Sequence, residues 1–248
     1  MVRQGADLIS NHLSQQGHYE WQVVEICRLL AGPFSEGVVF DIGANMGTVT
    51  VPLAKAMPHY KFIAYEPQKQ VFYQLCGNIA LNDITNVDVR NKALGSDYKN
   101  FWIDMPDYAT NTNIGAWSMS DFVRENSNEA RAGGAKQYVQ QEVLNDVHCD
   151  TPVRLIKMDV EGMELDILKG ANYFLQEHKY PPLVYECWKQ FEWYKPTAAE
   201  LEECVCGMGY ETYHLGNTIV ALHPENPMKV VVTQEDGNVR FEVPRDVV

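Results

Sequence analysis

Residues 38–47, VVFDIGANMG, decide the fold: an apolar strand ends in an acid and runs straight into a turn punctuated by glycine. Gly43 and Gly47 let the backbone approach a ligand closely and adopt angles closed to other residues. Asp41, at the head of the turn, repels a pyrophosphate, which needs neutral or positive surroundings at a helix N-terminus. The loop therefore suits a nucleoside ligand without phosphates. Asn45 stands where a dinucleotide-binding G-x-G-x-x-G loop has its middle glycine, and asparagine tolerates left-handed angles, so the turn survives. No G-K-[ST] follows, which argues against a nucleoside triphosphate site.

Working outward, apolar segments alternate with helical ones. The pattern predicts strands at 38–42, 61–66, 87–94, 153–160 and 183–187, and helices at about 47–57, 68–82, 119–131 and 162–178. An amphipathic helix at 19–31 precedes the first strand, closed by Gly32-Pro33. Such alternation points to a doubly wound, Rossmann-like α/β fold whose mostly parallel sheet is covered on both faces. Residues 209–223 read as an antiparallel edge hairpin around Gly216-Asn217, and 228–244 as a further hairpin about Asp236-Gly237. That tail either tucks against its own domain or acts as a dimerisation arm, so a homodimer stays open. The expected organisation is a helical lead-in (1–37), one domain (38–223) and a C-terminal β-hairpin extension (224–248). Residues 96–146 interrupt the alternation with a polar stretch, a charged helix-like piece and the strand-like QYVQQEV; insertions of this kind serve as lids or substrate loops.

Composition narrows the function. The chain of 248 residues carries 20 basic and 33 acidic side chains, a net charge of −13 that repels nucleic acid and anionic membranes. The N-terminus is too polar for a secretory signal and no apolar run is long enough to span a bilayer, so a soluble, cytoplasmic protein is expected. The six cysteines are scattered and read as reduced thiols.

Ligands of doubly wound sheets bind beyond the carboxyl ends of the strands. The residues there are Asp41, Gly43, Asn45 and Gly47; Glu66; Lys92 and Ala93; Asp159 and Glu161; and Glu186. They form an acid-rich rim. Glu66 ends the second strand, where a carboxylate accepts both hydroxyls of a ribose, although an acid before Pro67 also suits the start of a helix. In IKMDVEGMELDILKGA (156–171), Lys157, Asp159 and Glu161 fall on one side of a strand, and helix capping explains part of the acid pattern. The run YECWKQFEWY (185–194) offers Trp188, Phe191, Trp193 and Tyr194, which either line an acceptor pocket or pack in the core.

FDIGANMGTVT (40–50), AYEP with LCGNIALN (64–67, 75–82), NKALG (91–95), NTNIGAWSM (111–119), IKMDVEGMELDILKG (156–170) and VYEC (184–187) together resemble the FkbM-type family of S-adenosylmethionine-dependent methyltransferases. The resemblance covers roughly residues 38–190 and implies a class I methyltransferase fold with a seven-stranded sheet, and O-methylation of a sugar or natural product. It implies that Asp41, Gly43, Asn45 and Gly47 hold the methionyl part of the cofactor, Glu66 its ribose, and Lys92 and Ala93 the neighbourhood of adenine. Asp159, Glu161 and Glu186 then face the methyl group and acceptor, with Asp159 the first choice of base, Glu186 the second, and His148 or His214 as substitutes. The acceptor is a small molecule or glycan. Mg²⁺, with Asp159 and Glu186 as first ligands, is possible but not favoured, and no dedicated metal ligands are assigned. Two other readings are a nicotinamide-dependent oxidoreductase or epimerase, for which no Y-x-x-x-K pair is found, and a nucleoside-binding interaction protein without turnover.

Overall fold

The computed structural model describes residues 8–108, 113–127, 132–235 and 238–244. Two helices, α1 (Leu8–Gln16) and α2 (Trp21–Ala31), lead into β1 (Val38–Ile42). There follow α3 (Thr50–Ala56), β2 (Lys61–Tyr65), α4 (Lys69–Leu81), β3 (Val87–Arg90) and β4 (Ala93–Gly95). A hairpin of β5 (Lys99–Pro106) and β6 (Ala132–Val143) encloses α5 (Asp121–Asn126). Then come β7 (Val153–Met158), α6 (Glu164–Lys169), α7 (Asn172–Glu177), β8 (Leu183–Glu186) and α8 (Lys195–Gly207). The chain closes with β9 (Glu211–Leu215), β10 (Thr218–Leu222), β11 (Val231–Glu235) and β12 (Asn238–Glu242).

Seven strands form the main sheet in the order β3-β2-β1-β7-β8-β10-β9. The first five are parallel, and β10 runs antiparallel to both β8 and β9. This is the doubly wound sheet with an antiparallel edge hairpin that the sequence predicts. β1 is buried along its whole length, as a central parallel strand must be. Its period of two divides the core: Val38, Phe40 and Ile42 pack with residues of α6, α7 and α8, whereas Val39 packs with Val24, Cys27 and Leu30 of α2 and Leu53 of α3.

Several elements depart from the sequence reading. The strand expected at 87–94 divides, because Asn91 turns its amide back to the carbonyls of Glu66 (2.8 Å) and Pro67 (3.0 Å). β4 then leaves for a second sheet of order β4-β6-β5. The single helix expected at 162–178 is two, broken at Gly170, whose carbonyl accepts the Asn145 amide (2.9 Å). A Cβ at Gly170 would lie 2.5 Å from the Gly95 carbonyl oxygen, so close packing on β4 fixes the break. The helix expected from 47 begins only at Thr50. That expected at 119–131 is confined to α5, its last residues, 128–131, lying outside the described residues. Much of the 96–146 insertion is a long β-hairpin. Its outgoing strand turns Phe101, Ile103 and Met105 inward, a period of two that the sequence carries.

The C-terminal hairpin has its expected turn, Asp236-Gly237, outside the described residues. Its Phe241 packs on the α2 side of the core and meets Tyr213 edge-on at 5.9 Å, so the tail lies against its own domain. All six cysteines are free. No helix among the described residues is long and apolar enough to cross a membrane.

The turn after β1 holds the two halves of the sheet together. Gly43 has φ of 77°, and a Cβ there would stand 1.8 Å from the Asp159 carbonyl oxygen beyond β7. Gly43→Ala is expected to lower the unfolding free energy by more than ~2 kcal/mol, combining left-handed strain with a backbone clash. Gly77→Ala, on the open face of α4 where a Cβ meets nothing within 4 Å, is expected to raise it by ~0.5–1 kcal/mol. Urea unfolding of the two variants checks both signs.

Candidate functional site

The crossovers part between β1 and β7, and the crevice there is built on one buried cation. Lys157 sits opposite Asp41 in the parallel register. Its ammonium lies 3.0 Å from Asp41 Oδ1, donates to the Gly43 carbonyl at 3.0 Å, and reaches Asp159 Oδ2 at 3.7 Å. Burial pushes the Lys157 ammonium toward neutrality, but Asp41 and Asp159 outweigh it and hold the group charged, above its ordinary value. Thr50 Oγ1, at the start of α3, donates to Asp41 Oδ2 at 2.5 Å.

Asp41 is 1% exposed and does not line the crevice. Strand alternation explains this: Asp41 shares the side of β1 that carries Val39, so its carboxylate faces sideways toward α3. Its carboxylate pairs with the lysine that reaches the Gly43 carbonyl of the loop. Gly47 likewise lies aside, in a neighbouring groove beneath α1.

Glu66 is where the sequence places it. It is 4% exposed, and its carboxylate accepts the Asn45 amide at 3.1 Å and the Gln68 amide at 2.8 Å. Two further lone pairs remain for a ligand's hydroxyls. Burial raises its carboxyl to about 7, against the lowering effect of those two amides. Asn45 takes φ of 52°, the left-handed angle its residue type tolerates. Lys92 and Ala93 form the far rim of the pocket. The rim is tied to the hairpin: Glu142 accepts from Lys92 Nζ (2.5 Å) and from the Tyr65 hydroxyl (2.7 Å), and Arg90 donates to that hydroxyl (2.7 Å).

The crevice has a narrow and a wide end. The narrow end, about 60 Å³, lies around Glu66, Lys92 and Ala93 and is roofed by Gly115, Trp117 and Met119 of the insertion. It shares Gly43, Asn45, Gly115, Asp159 and Glu161 with the wide end, a cleft of about 660 Å³. Glu186, Trp188, Phe191 and Trp193 line that cleft. Tyr194 takes the other course the sequence leaves open: it is buried in the core, packed at 5.2 Å against Trp188. Glu161 has φ of 55° and begins the tight turn between β7 and α6.

Acids converge on the wide end. Burial first, then Asp159 and Glu164, raise the Glu186 carboxyl to about 8, while a hydrogen bond with Trp188 lowers it. Glu164, 1% exposed, accepts the Val160 amide at 3.1 Å, and burial raises it to about 7. His148 pairs with Asp150 on the surface, and His214 on β9 faces Glu202 and Lys189; neither lines the cleft. Among the described residues no three His, Cys, Asp or Glu side chains are grouped to hold a metal ion. Tyr19 and Glu20, between α1 and α2, also line the cleft. The sequence gives no local sign of this, since only the packing of the lead-in on the sheet brings them there. Glu20 has φ of 49°, strained for its type and held where the chain turns into α2.

The sequence profile of the methyltransferase FkbM domain matches residues 41–212, more than half of the chain. Methyltransferase 1 of Beauveria bassiana (strain ARSEF 2860) is 28% identical over 151 residues, 56% of this chain and 61% of that protein. Methyltransferase sdnD of Sordaria araneosa is 26% identical over 175 residues, 62% of this chain and 65% of that protein. The chain thus matches less than two thirds of the length of either. A solved structure from Corynebacterium glutamicum shares the fold with a TM-score of 0.51 at 12% identity, over 88% of this chain and 89% of that one.

Replacing Lys157 by Met removes the cation and leaves the Asp41 charge buried without compensation. The unfolding free energy is expected to fall by ~3–5 kcal/mol, measured by chemical denaturation at pH 7. Lys157→Met with Asp41→Asn should recover much of that loss, because no charge is then stranded.

Proposed function

The chain belongs to the methyltransferase FkbM-domain family, and on that footing we propose that it moves a methyl group from S-adenosylmethionine to a hydroxyl oxygen of a small-molecule or glycan acceptor. The observation that carries this is the continuity of the crevice: a tight pocket around a buried carboxylate opens directly into a wide cleft walled by aromatic rings and acids.

The residues fit that cofactor. Glu66 keeps two lone pairs for the vicinal ribose hydroxyls, and the nearest buried cation, Lys157, is engaged by Asp41 rather than offered to a phosphate. Asp159 and Glu161 give the cleft a negative lining suited to a sulfonium, with the Glu186 carboxyl beside them. When bound, S-adenosylmethionine supplies an electrophilic methyl group and leaves as S-adenosylhomocysteine.

The acceptor oxygen must lose one proton as it bonds to the methyl carbon. Asp159 leads as base in the sequence reading, but its carboxylate is drawn to Lys157. Glu186, at the end of β8 and raised to about 8, is the better proton acceptor. Asp159 then serves the sulfonium electrostatically, and Glu161 helps shape the turn at the mouth. Trp188, Phe191 and Trp193 offer flat faces on which a sugar ring or planar scaffold stacks, with acids beside them to accept its hydroxyls. The main contribution of such a site is to hold the acceptor oxygen close and aligned.

Calorimetry with S-adenosylhomocysteine tests the cofactor: Glu66→Gln is expected to weaken binding about 10- to 100-fold, as loss of a charged acceptor does. Mass-spectrometric detection of methylated product across a panel of glycosides and phenols tests the reaction. Because Glu186 accepts a proton only when ionised, kcat/KM is expected to rise with pH through about 8. Glu186→Gln should flatten that rise and lower kcat by about 10²–10⁴-fold. A pH-independent kcat/KM in the native protein, or a Glu186→Gln variant of full activity, would remove Glu186 from this role.

A further inference from the structure

Trp117 has no part in the chemistry above, yet its side chain is unexplained by packing alone. It is 5% exposed, and its indole Nε1 is buried with no hydrogen-bond partner among the described residues. A buried donor left unpaired is costly, and native proteins rarely keep one unless something else completes it. The residue lines the narrow end of the crevice, together with Glu66, Lys92, Ala93 and Met119.

Its setting is built, not loose. Gln68 Nε2 donates to the Ile114 carbonyl at 3.1 Å, which fastens the roof to the same residue whose amide binds Glu66. Gly115 lies so close to the first loop that a Cβ would stand 2.3 Å from Asn45 Nδ2. On the far side, Arg124 of α5 donates to the Ser118 carbonyl at 2.6 Å and places its guanidinium 5.4 Å from the centre of the indole ring. These contacts hold the segment from 114 to 118 along the pocket wall and brace the indole ring against Arg124.

We propose that Trp117 is a cofactor-binding residue whose indole N–H donates a hydrogen bond to a ring nitrogen of the adenine base. This rests on the reading of the pocket as an S-adenosylmethionine site. The chemistry selects the partner: indole is a donor only, so it requires an acceptor. Glu66, an acceptor, is matched to the donating ribose hydroxyls, and the base has unprotonated ring nitrogens at positions 1, 3 and 7. The insertion thereby contributes to cofactor recognition as well as to the roof.

Trp117→Phe keeps an aromatic ring and deletes the one donor; a thermal melt confirms that the variant is folded. Both proteins are titrated calorimetrically with S-adenosylhomocysteine and with its 1-deaza, 3-deaza and 7-deaza analogues. The native protein is expected to lose about three- to tenfold in affinity for one analogue. The variant should bind S-adenosylhomocysteine more weakly by the same factor and no longer distinguish it from that analogue. Equal affinity of the two proteins for S-adenosylhomocysteine, or a deaza penalty that persists undiminished in the variant, would overturn the inference while leaving the cofactor reading intact. Failure of the native protein to bind S-adenosylhomocysteine at all would overturn both.

Discussion

The buried ammonium of Lys157 is the constraint on which the rest of the site depends. It is the point where β1, the loop after it and the end of β7 are joined: the Asp41 carboxylate, the Gly43 carbonyl and the Asp159 carboxylate all lie within 3.7 Å. A charge so far from water is tolerable only with partners of opposite sign and good geometry. Because those partners come from two strands and one turn, the ion pair also fixes their spacing. Gly43 completes the joint from the other direction, since its missing side chain leaves room for the backbone beyond β7. The floor of the crevice is therefore preorganised by the fold itself.

That arrangement sets the electrostatics above it. Asp41 takes up most of what the lysine offers, leaving Asp159, Glu161, Glu186 and Glu20 to line the cleft with a surplus of acid. Burial, and after it that surplus, raises the Glu186 carboxyl, and burial does the same for Glu66 and Glu164. A cationic ligand relieves this repulsion, whereas an anionic one adds to it. The same crevice in a dinucleotide enzyme must present amides and neutral surroundings to a diphosphate; here a carboxylate and a charge-neutralised lysine lie beneath the turn.

The sheet was legible because its central strands are continuous apolar runs of standard length separated by helical spacing. Glu66 was legible for a related reason, since a polar residue ending such a run must emerge at the crevice. The side chain of Asp41 was not legible in the same way: it ends the run, but alternation with Val39 sends it between sheet and α3. The signal for that was the pairing of Asp41 with a lysine two residues before Asp159 on a neighbouring strand, which only the register reveals. Helix capping accounts for an acid such as Glu164 in the first turn of α6, whereas its burial follows from how tightly α6 begins after β7. Tyr19 and Glu20 come from a segment distant in sequence, so no local pattern could bring them to the site, and Trp117 was legible only as part of an insertion of the kind that covers one.

The most direct measurement is a calorimetric titration of the native protein with S-adenosylhomocysteine and, separately, with NADH. A turn braced by a carboxylate–lysine pair and open to a phosphate-free nucleoside should give a single saturable site for the first ligand and no heat for the second. Saturable binding of NADH, displaced by no thioether nucleoside, would contradict the account at its base.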